Sequence, residues 1–492
     1  MKSTITKLLM TAVSVVAMGA AAHAQSAPAN TVSNILDGAD PGTISVAGIT
    51  VYGVIDVGGV YNSQNTRAQS GSFYAGNEYP ISKNGNSGRW DYQNNALSQS
   101  LIGFKGSQSL QALSEGLRGW SVGFDLQIGF DPLYGQVADV AKTLRQNNGV
   151  ALANQTSNAD GSRYGQVFNG EAYASLKNDV LGELRFGRQN TLLLSTLASY
   201  DAVAGSYGYS AFAYFGGYGG GAGVTNDARW NNALKYTNTI GPVRVGAAYR
   251  FDGGGQGGDS WSVQGGVDLP GALKGLSVDG VYAHENSAIL MSSLSAANCN
   301  TLLGANAGNC GSLNLLNATV ADTDTWTLAA KYKFNEGSML SGATIMGGYE
   351  HIVVSNPTGG PLTNLNSEGY SIYTTNYNAF TTDKTLDVTW IGTRYQFTPK
   401  LSGGASWYHV EQNSFLSGGT AAKNGCNGLS GIAASSTCAG SFNWYSAMLD
   451  YQATKRMDFY GGVTFSDVSN GLASGFLHTN SYDVSFGTRF RF

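Results

Sequence analysis

The sequence predicts an all-β chain, a 16-stranded antiparallel transmembrane β-barrel with an inward-folded constriction loop. Three observations carry this prediction. About sixteen segments alternate apolar with polar residues, as strands between lipid and water do. The connections alternate between short and long. One connection of about 40 residues is aromatic and almost uncharged, and loops of that length are usually functional or disordered.

The composition is unusual for a soluble globular chain. The sequence has 68 Gly and 27 Tyr, but only 9 Pro and 12% charged residues, against about 25% charged residues on average. A membrane barrel needs an apolar outer face, a polar lumen and aromatic girdles. A large secreted repeat protein would also be glycine-rich, but no fixed period is present. The net charge of −4 disfavours a nucleic-acid partner.

The amino terminus resembles a secretory signal. Residues 1–24 contain Lys2 and Lys7, a short apolar core and a small-residue site ending at Ala24. No later stretch approaches the roughly 20 apolar residues of a spanning helix. We therefore expect a signal peptide over residues 1–24, an extension of unknown role over residues 25–48, and a barrel over residues 49–492.

The first strand of the barrel shows the alternation. From residue 49, ITVYGVIDVGGVYN places Val51, Ile55 and Val57 on one face and Asp56 on the other. The same pattern predicts further strands at residues 97–106, 117–130, 170–176, 182–188, 229–237, 243–251, 260–269, 275–284, 324–334, 342–353, 384–397, 401–411, 442–452, 457–465 and 482–492. In the last strand the aromatic set that ends at Phe492 is expected to face lipid.

The connections predict the sidedness of the barrel. Short turns with Pro, Gly or Asn chemistry, such as residues 241–242 and 398–400, alternate with long Gly/Asn/Ser-rich loops, such as residues 63–96 and 286–323. Short turns at one end and long loops at the other are typical of outer-membrane barrels.

The aromatic connection lies between Arg188 and Arg229. A segment with this many Leu, Tyr and Phe residues would be costly to leave in water. We expect it to fold into the barrel and to set the width of an aqueous pore.

Four cysteines form two close pairs, each within one predicted loop: Cys299 with Cys310, and Cys426 with Cys438. After export such pairs can oxidise, and each disulfide would close a loop locally. A metal site is disfavoured because no His lies among them and the spacings fit no zinc pattern.

Several segments together resemble the trimeric Gram-negative general porins. They are VYGVIDVG at Val51, IGFKGSQSL at Ile102, FNGEAYASLKNDVLGELRFGRQ at Phe168, RWNNALKY at Arg229, and the aromatic strand that ends in Phe492. The resemblance implies a homotrimer in the outer membrane, in contact with the lipid bilayer and lipopolysaccharide, that passes small hydrophilic solutes. The final Phe resembles the signal that the outer-membrane assembly machinery reads.

The resemblance also implies a constriction with wall arginines facing loop carboxylates, where a narrow throat focuses the field. Arg188 and Arg229 match two wall arginines. A third family arginine falls at Leu101, and another basic position falls at Gly170.

The loop itself departs from the family pattern. The segment AYFGG resembles the family's PEFGG, so Tyr214 stands where the family has Glu, and Asp201 is the internal loop carboxylate. Because the constriction has fewer positive and fewer negative residues than the family pattern, the throat should be weakly ion-selective. Tyr207, Tyr209 and Tyr214 would either line the pore, where they could contact sugar-like or aromatic solutes, or pack the loop against the wall.

The function predicted is passive diffusion through a water-filled channel. A substrate-selective channel with a tyrosine-lined throat is the alternative, and a structural or adhesive barrel is a further one. No enzyme activity, metal or cofactor is expected: HExxH is absent, and the GxGxxG match at residues 253–258 lies between two strands with no following helix.

Overall fold

The computed structural model describes residues 44–46, 48–64, 83, 85, 87–137, 167–212, 227–251, 258–293, 315–334, 337–358, 366–367, 370–376, 380–415, 438–473 and 477–492. The strands are β1 Ile44–Val46, β2 Ile49–Asn62, β3 Arg89–Asn94, β4 Leu101–Ser109, β5 Trp120–Asp131, β6 Gln136–Val137, β7 Ala172–Asn178, β8 Gly182–Asn190, β9 Arg229–Ile240, β10 Val243–Arg250, β11 Ser260–Asp268, β12 Leu276–Ser293, β13 Leu315–Lys333, β14 Ala343–Ser355, β15 Asn366–Ser367, β16 Tyr370–Asn376, β17 Lys384–Gln396, β18 Leu401–Gln412, β19 Gly440–Gln452, β20 Met457–Val468 and β21 Asn480–Arg491. The α-helix, α1, is Leu192–Ser199, and 3-10 turns lie at Glu115–Leu117, Gly271–Leu273 and Asn470–Ala473.

Sixteen of these strands form one closed antiparallel barrel, as predicted. Going round the wall they are β2, β4, β5, β7 to β14 and β17 to β21, and β21 pairs with β2 to close the ring. Phe492 takes part in the closure, because its amide donates to the carbonyl of Gly53 at 3.1 Å and its carbonyl accepts from the Gly53 amide at 2.9 Å. Closure leaves no strand edge with unpaired backbone groups. Such an edge would be highly unfavourable in lipid.

The two faces of the wall alternate as the sequence predicts. Asp56 on β2 is fully buried towards the lumen, whereas Phe486 on β21, Val463 on β20 and Ile391 on β17 are half exposed on the outside. The exposed outer side chains are apolar or aromatic, and the inward ones are mostly polar. Of the helices in the described part of the chain, none is long and apolar enough to cross a membrane.

The second predicted strand, residues 97–106, needs correction. The segment that pairs with β2 is split into β3 and β4, and residues 95–100 between them leave the sheet and fold inward. The carboxylate of Asp56 accepts the amides of Leu97 at 2.8 Å and Ser98 at 2.9 Å, and Asn95 takes a positive φ of 58°. The inward carboxylate of β2 thus holds this excursion in place.

The predicted loop at residues 286–323 is also partly strand. β12 continues to Ser293 and β13 begins at Leu315, so both extend above the neighbouring strands. Part of the predicted extension, β1, pairs with β2; the signal peptide lies outside the described residues.

Lys83 fastens the first long loop inside the barrel. Its side chain is fully buried, and its ammonium donates to Ser466 Oγ at 2.6 Å and Ser481 Oγ at 3.1 Å. The carbonyl of Lys83 also accepts the amides of Leu477 and His478 in the last long loop. Burial lowers the pKa of Lys83 from 10.5 to about 7.

We expect this buried lysine to make stability depend on pH. Between about pH 8 and pH 10 the unfolded chain binds more protons at Lys83 than the folded chain does, so the cost of burial falls as pH rises. Relative to Lys83→Met, the wild type should gain roughly 2 kcal/mol over that range. Urea unfolding of both proteins in detergent at the two pH values measures the difference, and parallel pH curves would contradict it.

Candidate functional site

The described part of the connection between β8 and β9, residues 191–212 and 227–228, folds into the barrel, as the sequence predicts. It begins with α1, which the sequence analysis did not predict. Thr191 is the N-cap, and its Oγ1 accepts the Leu194 amide at 3.2 Å. Leu192, Leu193 and Leu197 are buried against the wall near β10 to β12. The sequence predicts this leucine run only as part of a hydrophobic loop, whereas in the structure it forms the buried face of a short helix.

Tyr200 follows the helix and binds the wall at two points. Its hydroxyl donates to Asp279 on β12, a carboxylate that also accepts Arg244 Nη2 at 2.7 Å. Its carbonyl accepts the indole N–H of Trp390 on β17 at 2.9 Å. Together these contacts fix the direction in which the loop leaves α1.

Asp201 is an anchor of the loop. It is 1% exposed and accepts hydrogen bonds from the hydroxyl of Tyr408 on β18 and from the amides of Val203 at 3.2 Å and Gly205 at 2.9 Å. Burial raises the pKa of this carboxyl group. This carboxylate, which was expected to face the pore, instead accepts hydrogen bonds from the barrel wall and from its own turn.

The far end of the described loop reaches the other side of the barrel. Tyr209 is fully buried; its hydroxyl lies 2.7 Å from Ser485 Oγ on β21, and its carbonyl accepts the Trp444 indole N–H at 3.0 Å. The Gly208 amide donates to the carbonyl of Ala96, within the inward excursion between β3 and β4, at 2.8 Å. The loop therefore spans the inner wall from β10 to β21.

Glycines of the wall make room for the loop backbone. A Cβ atom at Gly404 on β18 would lie 2.8 Å from the carbonyl oxygen of Ala202, and one at Gly392 on β17 would lie 2.7 Å from the Ala202 Cβ. Any larger residue there would displace the loop.

The two predicted wall arginines are nearly buried. Arg188 is 7% exposed and donates to the carbonyls of Gly170 at 2.8 Å and Asn169 at 2.9 Å and to Asn231 Oδ1 at 2.7 Å. Arg229 is 8% exposed. Their role in lining the pore constriction stays a prediction. Leu101, where the family has arginine, begins β4 directly after the inward excursion.

The remaining predicted residues divide between described and undescribed parts of the chain. Tyr207 is partly exposed, so of the described loop tyrosines it has the accessibility that a pore-lining residue needs. Tyr214 lies outside the described residues. Cys438 is buried and disulfide-bonded. Cys299, Cys310 and Cys426 are not among the described residues, so both predicted pairings stay predictions.

The wall formed by β2, β4, β5, β7 and β8 makes few contacts with the described part of the loop, and it carries charges that the sequence analysis did not single out. The Tyr52 hydroxyl donates a hydrogen bond to Asp125 at 2.5 Å. The Tyr52 ring also makes a cation–π contact with the Lys105 ammonium, which lies 4.9 Å from the ring centroid. Arg185 contacts Glu183 at 2.9 Å. The period-2 alternation could have identified these inward positions, because each faces the same side as Asp56.

A cavity of about 400 Å³ runs along this wall at the short-turn end. Its polar lining includes Thr50, Ser107, Ser121 and Ser175. We call the inner surface of β2, β4, β5, β7 and β8, which the described part of the loop does not cover, the uncovered wall.

The comparisons identify the family. The family model described as Gram-negative porin matches residues 11–471, which is nearly the whole chain. The chain belongs to this family. A search of curated proteins finds no significant match to the porin.

Solved structures share the fold of this porin at low identity. The anion-selective porin from Comamonas acidovorans has 16% identity and a TM-score of 0.54, covering 90% of this chain and 99% of its own. Outer-membrane expressed OmpT of Vibrio cholerae has 12% identity and a TM-score of 0.50, covering 92% of this chain and 100% of its own. The Vibrio cholerae OmpT has also been solved in a trimer form, with 12% identity, a TM-score of 0.50, and coverage of 90% and 99%.

Family and fold together assign the porin to the outer membrane. It is a channel for passive diffusion, and the family and fold are those of a channel rather than an enzyme. The predictions of fold class, localisation and channel function are confirmed.

Proposed function

We propose that solutes cross this porin between the inward loop and the uncovered wall, and that the throat is weakly ion-selective. One observation carries the proposal: the loop is bonded to the inner wall from β10 to β21, whereas the uncovered wall presents half-exposed polar side chains to the lumen. Four charged residues line the cavity of the uncovered wall, Lys105 and Lys177 against Asp125 and Glu183. Such a balanced lining gives little net preference for either ion sign.

In this proposal the predicted residues have different roles. Asp201 and Tyr209 hold the loop, Tyr207 borders the passage, and Arg188 and Arg229 contribute positive potential from within the wall. Because tyrosine side chains mainly pack the loop, a tyrosine-lined, sugar-selective throat is less well supported than general diffusion. We further propose that the protein is a homotrimer in contact with lipopolysaccharide, that the assembly machinery recognises its closing strand, and that it has no catalytic activity.

Cysteine accessibility tests the path. Ser175→Cys on the uncovered wall should react with a charged thiol reagent and lose a measurable part of its single-channel conductance, because the added group narrows the passage. Ala174→Cys, the adjacent residue on the lipid face, is the control and should not change. Planar-bilayer recordings should show steps in triplets. Equal effects at both positions, or none at Ser175→Cys, would contradict the proposed path.

A further inference from the structure

A second cavity, of about 450 Å³, lies beneath the inward loop at the short-turn end of the barrel. Its roof is Ser199 at the end of α1, and its walls come from the turn between β11 and β12 and from β13, β14 and β17. Four cationic side chains line it, Lys274, Lys331, Lys333 and Arg394, against the one carboxylate of Asp268. We call it the basic cavity.

The hydrogen bonds of Lys331 and Arg394 do not cancel the positive charge that these two residues bring to the basic cavity. Lys331 Nζ donates to the carbonyl of Ser199 at 3.2 Å, and Arg394 Nε donates to the carbonyl of Ala202 at 3.0 Å, and both acceptors are neutral. Within the described ranges, Lys331, Lys333 and Arg394 form no ion pair with a carboxylate.

The single carboxylate is already bound. Asp268 lies 2.5 Å from Arg244 Nη1 and accepts the Ser277 hydroxyl at 2.5 Å. Its charge is therefore largely directed at Arg244, and it repels an incoming anion less than an unpaired carboxylate would.

The cavity of the uncovered wall provides the comparison. It lies at the same end of the barrel and has nearly the same volume, but its two lysines are matched by two carboxylates. The excess of positive charge in the basic cavity is therefore not shared by the cavity of the uncovered wall. A partly enclosed site with this excess concentrates anions.

We propose that the basic cavity is a binding site for a small multivalent oxyanion of the phosphate type. The planar guanidinium of Arg394 presents paired donors that match an oxyanion, and Lys331 and Lys333 on β13 add positive charge to the same cavity. The proposal rests on the channel function, because the anion reaches the cavity by diffusing through the lumen.

Single-channel recording tests the site with inorganic phosphate as the probe. We expect phosphate, added to a chloride solution at about pH 8, to reduce the current with saturation. Lys333→Gln alters no contact with the loop. It should raise the phosphate concentration at half-saturation by about tenfold, because one charge-assisted contact is lost. Lys333→Arg should retain the wild-type half-saturation. Asp268→Asn should shift half-saturation to lower phosphate.

Lys177→Gln is the matched control, since it removes one lysine from the other cavity. It should leave the phosphate effect unchanged. A linear, unsaturated response in a conducting wild type, or equal losses in Lys177→Gln and Lys333→Gln, would overturn the site and leave the channel function intact. An absence of conductance steps would instead contradict the channel proposal itself.

Discussion

Replacing Asp201 with alanine is expected to release the inward loop from the barrel wall. The variant removes the acceptor of the Tyr408 hydroxyl and of the Val203 and Gly205 amides, and the carboxylate that it removes is 1% exposed. Leaving such buried donors without a partner costs about 1–3 kcal/mol each, so we expect about 3 kcal/mol or more of lost loop-docking free energy. This is a large part of the stability of a typical domain.

Bilayer recordings and thermal unfolding in detergent measure that release. The conductance of Asp201→Ala should be larger and noisier than that of the wild type, and its melting temperature should be lower. Asp201→Asn keeps one oxygen as an acceptor for Tyr408. Its conductance and melting temperature should lie between those of the wild type and of Asp201→Ala. Asp179→Ala, in an exposed short turn, is the control. Wild-type conductance in Asp201→Ala would mean that the loop is held by its other contacts alone.

Gly404→Leu is expected to displace the loop without removing any hydrogen-bonding side chain. The added Cβ would lie 2.8 Å from the Ala202 carbonyl oxygen, which is backbone and cannot turn away. The rest of the leucine side chain would project further into the loop. Overpacking of this kind costs typically about 1–3 kcal/mol.

The direction of the conductance change distinguishes two responses of the displaced loop. We expect Gly404→Leu to push the loop towards the uncovered wall and so to lower the conductance, the opposite of Asp201→Ala. Gly265→Leu on β11 is the matched control, because nothing lies within 4 Å of a Cβ atom there. Equal conductance in both leucine variants would show that the loop does not border the passage.

The strand pattern was predictable because the contrast between lipid outside the barrel and water inside it determines the pattern. Lipid outside and water inside impose a two-residue period on every spanning strand, so the alternation in β2 and β21 can be read without knowing the neighbours of either strand. The number of barrel strands follows from the same local signal. The split between β3 and β4 does not, because Asp56 on another strand creates it.

The inward loop was predictable in its existence but not in its contacts. Its aromatic content required burial, and the barrel interior is where a loop of that length can find it. Which side chains would face water depended on partners far away in the sequence, such as Tyr408 for Asp201 and Ser485 for Tyr209. For the same reason, motif positions alone could not show that the Arg188 guanidinium is enclosed by Gly170, Asn169 and Asn231.

The sequence by itself therefore determined the all-β class, the faces of the strands and the need for a folded inner loop, because each is set by the local alternation of apolar and polar residues. Only the tertiary structure decided which wall the loop covers and where the net positive charge lies. Lys331 and Lys333 on β13 meet Arg394 on β17 only after both strands pair with β14 and line the same cavity. Charge sums of that kind depend on distances between strands, and no single stretch of the chain contains them.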